Sequence, residues 1–138
     1  MATNGAFVRN FLVACCFFIL FCGAVSAAPE LDKETIVRLQ TAIDKVAAEK
    51  SMLDDFCSWY ADQSMVTAMI SGPQKASEQE LLNYISRADA AFARLGLEFS
   101  EAHQVVSILY AANASDAHSQ ALVAAYARLT KLCPKVGS

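Results

Sequence analysis

From Leu31 to Cys133 the apolar residues of this chain recur at steps of three and four, and no stretch alternates as a half-buried strand does. Steps of three and four keep side chains on one face of a 3.6-residue helix. Each such helix carries an apolar stripe that it must bury against another helix. Residues that break helices are scarce, with five glycines and three prolines in 138 residues, and alanine is abundant. The expectation is an all-α fold, a compact four- or five-helix bundle of antiparallel helices.

The pattern also places the helices. Ile36, Leu39, Ile43, Val46, Leu53, Cys57 and Tyr60 form one seam, interrupted by Lys50. It predicts one long helix from about Leu31 to Ser71, or two with a joint near Glu49 to Met52. Gly72-Pro73 ends this region, because proline has no amide hydrogen and restricts the residue before it. Ser77 and Glu80 have the spacing of a capping box ahead of the row Leu81, Ile85, Ala88, Phe92 and Leu95. Gly96 stands where a helix-ending glycine belongs. Ser100 is expected to cap the next helix, which buries Ala102, Val105, Val106 and Leu109 and ends near Asn113. Ser115 or Asp116 opens the last helix, with Leu122, Tyr126, Leu129 and Cys133 on its core row and Pro134 as its stop. Short connections imply antiparallel neighbours.

The first 28 residues follow a different logic. Arg9 is their only charge, an apolar run extends from Phe11 to Val25, and Ser26-Ala27-Ala28 closes it. A basic start, an apolar centre and a small-residue exit are the parts of a secretory signal peptide. The expected division is residues 1–27 as signal peptide and 28–138 as a single helical domain. An uncleaved anchor and a lipoprotein box at "LVAC" are the alternatives, and both fit less well. The span from Phe11 to Ala28 only reaches the lower limit for crossing a bilayer. The most apolar residues follow the box instead of preceding it. The protein is therefore expected to be secreted or periplasmic, with no stable membrane span after cleavage.

Export changes what the five cysteines mean. Cys15, Cys16 and Cys22 leave with the signal, and Cys57 and Cys133 remain. An even pair in an oxidising compartment reads as one disulfide stapling the bundle. Closing a loop of about 75 residues is worth roughly 4 kcal/mol on chain-entropy arithmetic.

Several chemistries find no support. Lysine and arginine are scattered without a basic stripe and the net charge is −3, which argues against nucleic acid. There is no G-x-S-x-G and no glycine-rich phosphate loop. His103 and His118 lack further ligands at metal-binding spacing, and no C-x-x-C-H is present for haem. A bridged Cys57 is no nucleophile. The reading is a non-enzymatic protein without cofactor or metal.

Binding remains. Around "WYADQSMVTAMI", Trp59, Met65, Val66, Met69 and Ile70 make the helix apolar beyond its core stripe. Tryptophan anchors interfaces and methionine adapts to varied partners, so these five residues are the candidate interaction patch. The expected function is binding another protein, as inhibitors, immunity proteins, adaptors and effectors do. The alternative is a carrier of a small apolar ligand held between helices, lined by Phe56, Tyr60, Phe92, Phe99, Tyr110 and Tyr126. Asn113-Ala114-Ser115 is also a glycosylation sequon.

Overall fold

A computed structural model describes residues 31–73 and 76–135. The signal peptide expected at 1–27 lies outside the described residues. Those residues form five helices and no strand: α1 (Lys33–Ala48), α2 (Lys50–Ser71), α3 (Glu78–Arg94), α4 (Leu97–Ala111) and α5 (Ala117–Lys131). They pack as an all-α bundle with antiparallel contacts.

Local chemistry sets the helix ends. Asp32 accepts from the Thr35 amide at 2.8 Å and caps α1. Ser77 and Glu80 form the full capping box of α3, each side chain bonded to the other's backbone amide. Asp116 caps α5 through the Ser119 amide at 2.9 Å. α4 ends in a Schellman turn. Asn113 takes φ 50°, its amide bonds the Tyr110 carbonyl, and the Ala114 amide reaches back to Leu109 at 3.0 Å.

Glu49 resolves the first region into two helices. It is the single residue between α1 and α2, and its ψ of 113° breaks the helical path. The seam consequently does not continue across it. α1 buries Ile36, Leu39, Ala42, Ile43 and Val46, whereas α2 turns Phe56 fully inward. Leu53 and Cys57 only flank the core, and Tyr60 is 37% exposed. One extended residue resets the helical phase, so counting threes and fours through it misplaces Tyr60.

Gly96 corrects the expected start of α4. The helix begins at Leu97, and Ser100 already lies inside it, donating its amide to the Gly96 carbonyl at 3.1 Å. Gly96 has φ 89° and ψ 169°, a conformation open essentially to glycine alone. That one residue reverses the chain between α3 and α4, so no separate cap at Ser100 is needed. The earlier start brings Phe99 into the core.

The core gathers α1, the first part of α2, the end of α3, α4 and α5 around Leu39, Ile43, Phe56, Phe99, Leu109, Leu122 and Leu129. Burying a side chain of this size stabilises by roughly 1.5–3 kcal/mol. The disulfide is present: Cys57 and Cys133 are bonded, with Cα atoms 5.2 Å apart. Cys133 sits just past α5, which stops at Lys131, so the bridge ties the tail of the chain to α2.

Candidate interaction site

α2 and α3 form an antiparallel hairpin whose register is written in two ion pairs. Asp55 meets Arg94 at 2.8 Å, and Asp62 meets Arg87 at 3.0 Å. The aspartates are seven residues apart, and the arginines are seven apart in the opposite direction. Two turns up one helix thus match two turns down the other. Between them Ala88 and Ala91 are fully buried and let the backbones approach closely. Val66, one turn beyond Asp62, is also buried, at 6% exposed.

This hairpin outruns the core. No described residue from 61 to 91 contributes to the core cluster, although Trp59 and Phe92 do. Among the described residues α2 is the one extensive neighbour of α3. The far halves of the two helices therefore form an arm that packs mainly on itself.

One face of the arm is neutral and hydroxyl-lined. Ser64, Thr67 and Ser71 each donate to the backbone carbonyl four residues earlier, at 3.0, 2.9 and 2.7 Å. Their polar groups are satisfied within the helix, as serine and threonine commonly arrange. Elsewhere on the arm Ile70 is 67% exposed and Met65 36%.

The five residues of the candidate patch divide accordingly. Met65 and Ile70 face solvent and Met69 is half-buried. Val66 points into the hairpin and leaves the patch: it lies two turns after Trp59, on the side that α3 covers. Trp59 also turns inward. Its ring centroid is 5.0 Å from Phe92, 5.0 Å from His103 and 5.6 Å from Phe56.

Trp59 belongs to an aromatic cluster at the root of the arm. Phe56 meets Phe99 edge-on at 5.6 Å and Tyr126 at 5.9 Å, and Phe92 meets Phe99 at 6.0 Å. Five of the six rings considered for an apolar ligand are thus in contact with other rings, Tyr60 stacking on Phe56 at 6.0 Å. Tyr60 is partly open and Tyr110, 75% exposed, lies on the surface.

The periodicity missed His103 as a member of this cluster. The imidazole is half-buried, and its Nδ1 lies 2.7 Å from the Tyr126 hydroxyl. Burial lowers its pKa below the usual histidine value and pushes the Tyr126 phenol well above its own. With the expected cap at Ser100, His103 would lie in the first turn of α4. With the helix starting at Leu97, it falls instead in the row of Phe99 and Val106. His118 is exposed at the start of α5.

Elsewhere, Arg38 of α1 grips Glu101 of α4 with two bonds, 2.7 and 2.8 Å long. Both side chains are well solvated, so the pair adds little stability. Among the described residues no three His, Cys, Asp or Glu side chains gather as metal ligands. No described helix is long and apolar enough to cross a membrane. Compared with known proteins, the chain matches no family model, no curated protein and no solved structure.

Proposed function

We propose that this is an exported, non-enzymatic protein that binds another protein through the far end of the α2–α3 arm. The observation that carries the reading is Met65 and Ile70, exposed on a hairpin that the core does not cover. A pair of helices alone leaves apolar surface in water, and a partner helix or sheet laid on the arm removes it. Export is inferred from the N-terminal segment and agrees with the disulfide, which persists in oxidising compartments. Partners of inhibitor, immunity, adaptor or effector type fit the reading equally.

The carrier of an apolar ligand is the weaker alternative. Phe56, Phe92, Phe99 and Tyr126 spend their faces and edges on one another, which fills the space between helices.

The test is a double substitution on the arm. Protein isolated from its source is cross-linked to identify its partner, and the interaction is then measured with purified components. Met65→Ser with Ile70→Ser should weaken binding by at least tenfold while helix content and the disulfide stay intact. Unchanged affinity would remove the arm from the account. A source-purified protein carrying a stoichiometric lipid or pigment would favour the carrier.

A further inference from the structure

Four of the five helices meet at one imidazole. His103 of α4 has Trp59 of α2 at 5.0 Å, Phe92 of α3 at 5.3 Å and Tyr126 of α5 at 5.6 Å between ring centroids. Trp59 and Phe92 are also where the α2–α3 arm joins the core. The ring's polar contact is the Tyr126 hydroxyl at Nδ1. Ser107 bonds the His103 backbone carbonyl and not the ring.

Among the described residues no charged side chain contributes to the shift of this ring, Asp89 of α3 included, whose own pKa burial raises. α5 presents Tyr126, held neutral by burial, with Tyr60 of α2 as that phenol's electrostatic neighbour. α2 presents the indole of Trp59, and its carboxylates Asp55 and Asp62 are engaged by Arg94 and Arg87 of α3. α3 presents Phe92. On α4 itself, Glu101 is taken by Arg38 of α1. Burial is the one cause that displaces the His103 pKa.

We propose that His103 is a proton-operated latch, which holds the α2–α3 arm against α4 and α5 when neutral and loosens it when protonated. A neutral imidazole has one accepting nitrogen, and Nδ1 can take the Tyr126 hydroxyl hydrogen. An imidazolium has two donors and no acceptor. The bond to Tyr126 then reverses, and the phenol hydrogen loses its place. The new charge also calls for water inside an aromatic cage. Histidine is the side chain whose ordinary titration falls between pH 5 and 8, so the device answers mild acid.

The sign follows from the lowered pKa. The unfolded chain takes up the proton at about pH 6.5, and the folded chain only at a lower pH. The contribution of neutral His103 is therefore complete above about pH 6.5. It declines as pH falls from there to the lowered value. The latch acts whatever the arm binds, so its failure and that of the binding proposal are separable.

Trp59 is the only tryptophan in the chain and touches the latch, so its fluorescence reports the site directly. Amide hydrogen exchange of the oxidised protein is measured at about pH 7.5 and pH 5 and corrected for the intrinsic pH dependence of exchange. Protection across residues 78–91 of α3 should fall about tenfold relative to residues 122–129 of α5 at the lower pH. Trp59 emission should change over the same range. His103→Gln, which keeps a neutral group near Tyr126, should abolish both responses, and His118→Gln should keep both. The latch is overturned if α3 protection does not move relative to α5, or if the response survives His103→Gln. Should His103→Gln fail to fold, the wild-type exchange comparison decides alone.

Discussion

Arg87 on α3 reaches across the hairpin to the nearly buried carboxylate of Asp62 on α2, 3.0 Å away, and lies over the Tyr84 ring at 4.5 Å. The asymmetry matters more than the bond. Arg87 is mostly in water, whereas Asp62 is not, so losing the arginine strands a carboxylate with little solvent.

Arg87→Ala should therefore destabilise the arm more than Lys50→Ala, which removes a largely solvated helix pair with Asp54. Urea denaturation followed by helix signal tests this order. In a double-mutant cycle, Asp62→Ala with Arg87→Ala should cost less than the two single changes added together. Ala88→Leu attacks the same seam by size. Ala88 is completely buried, so the larger side chain should cost about 1–3 kcal/mol by forcing the helices apart.

Removing the disulfide should cost about 2–4 kcal/mol. Cys57→Ser with Cys133→Ser, compared with the oxidised parent in denaturant, gives the value. Alkylation of the native protein without reductant should label neither Cys57 nor Cys133. Labelling of both in the folded state would contradict the bridge.

Gly96→Ala should destabilise by about 1–3 kcal/mol although nothing lies within 4 Å of the added methyl group. The cost is in the backbone, which must keep φ 89° and ψ 169° to turn α3 into α4. Thermal unfolding of Gly96→Ala beside Ser100→Ala separates the two residues. The glycine change should lower the midpoint clearly and the serine change only slightly.

Acid should loosen the helix starts as a group. Hydrogen bonds from Thr35, Ser77 and Ser119 lower the pKa values of Asp32, Glu80 and Asp116. Their folded values lie below the unfolded ones. The stabilisation they give is complete above the ordinary carboxylate range near pH 4, and it is lost as pH falls through the lowered values. Stability measured from pH 5 to pH 2 should decline. The decline should be shallower in a variant carrying Asp32→Asn, Glu80→Gln and Asp116→Asn, whose caps no longer titrate.

What was legible in the sequence was local or arithmetical. Ser77 with Glu80, and Asp116 ahead of Ser119, carry their caps within four residues, so the chain announces them without its tertiary neighbours. The disulfide followed from elimination once three of the five cysteines were assigned to the leader. The errors came where one backbone torsion controls everything downstream. Glu49 resets the phase of α2, so Tyr60 is more exposed than the continued seam implied. Gly96 starts α4 three residues before Ser100, and that shift moves His103 from a polar first turn into the aromatic cluster. Val66 shows a third limit. Periodicity identifies an apolar side chain but not the helix that will cover it, and α3 was available to do so.

The position of the disulfide divides the described chain into a closed ring and an overhang. Cys57 lies early in α2 and Cys133 just after α5, so the ring takes in the arm, α4 and α5, while α1 remains outside it. A single peptide-bond cut at Gly96, or in either of the other two connections between α2 and α5, leaves one covalently joined molecule that can keep its packing. A cut beside Glu49 removes the covalent tie of α1, which is then held by packing of its buried row and by Arg38 on Glu101. Tension applied at the N-terminus should likewise draw out α1 first and then meet a knot that cannot be pulled open without a reductant.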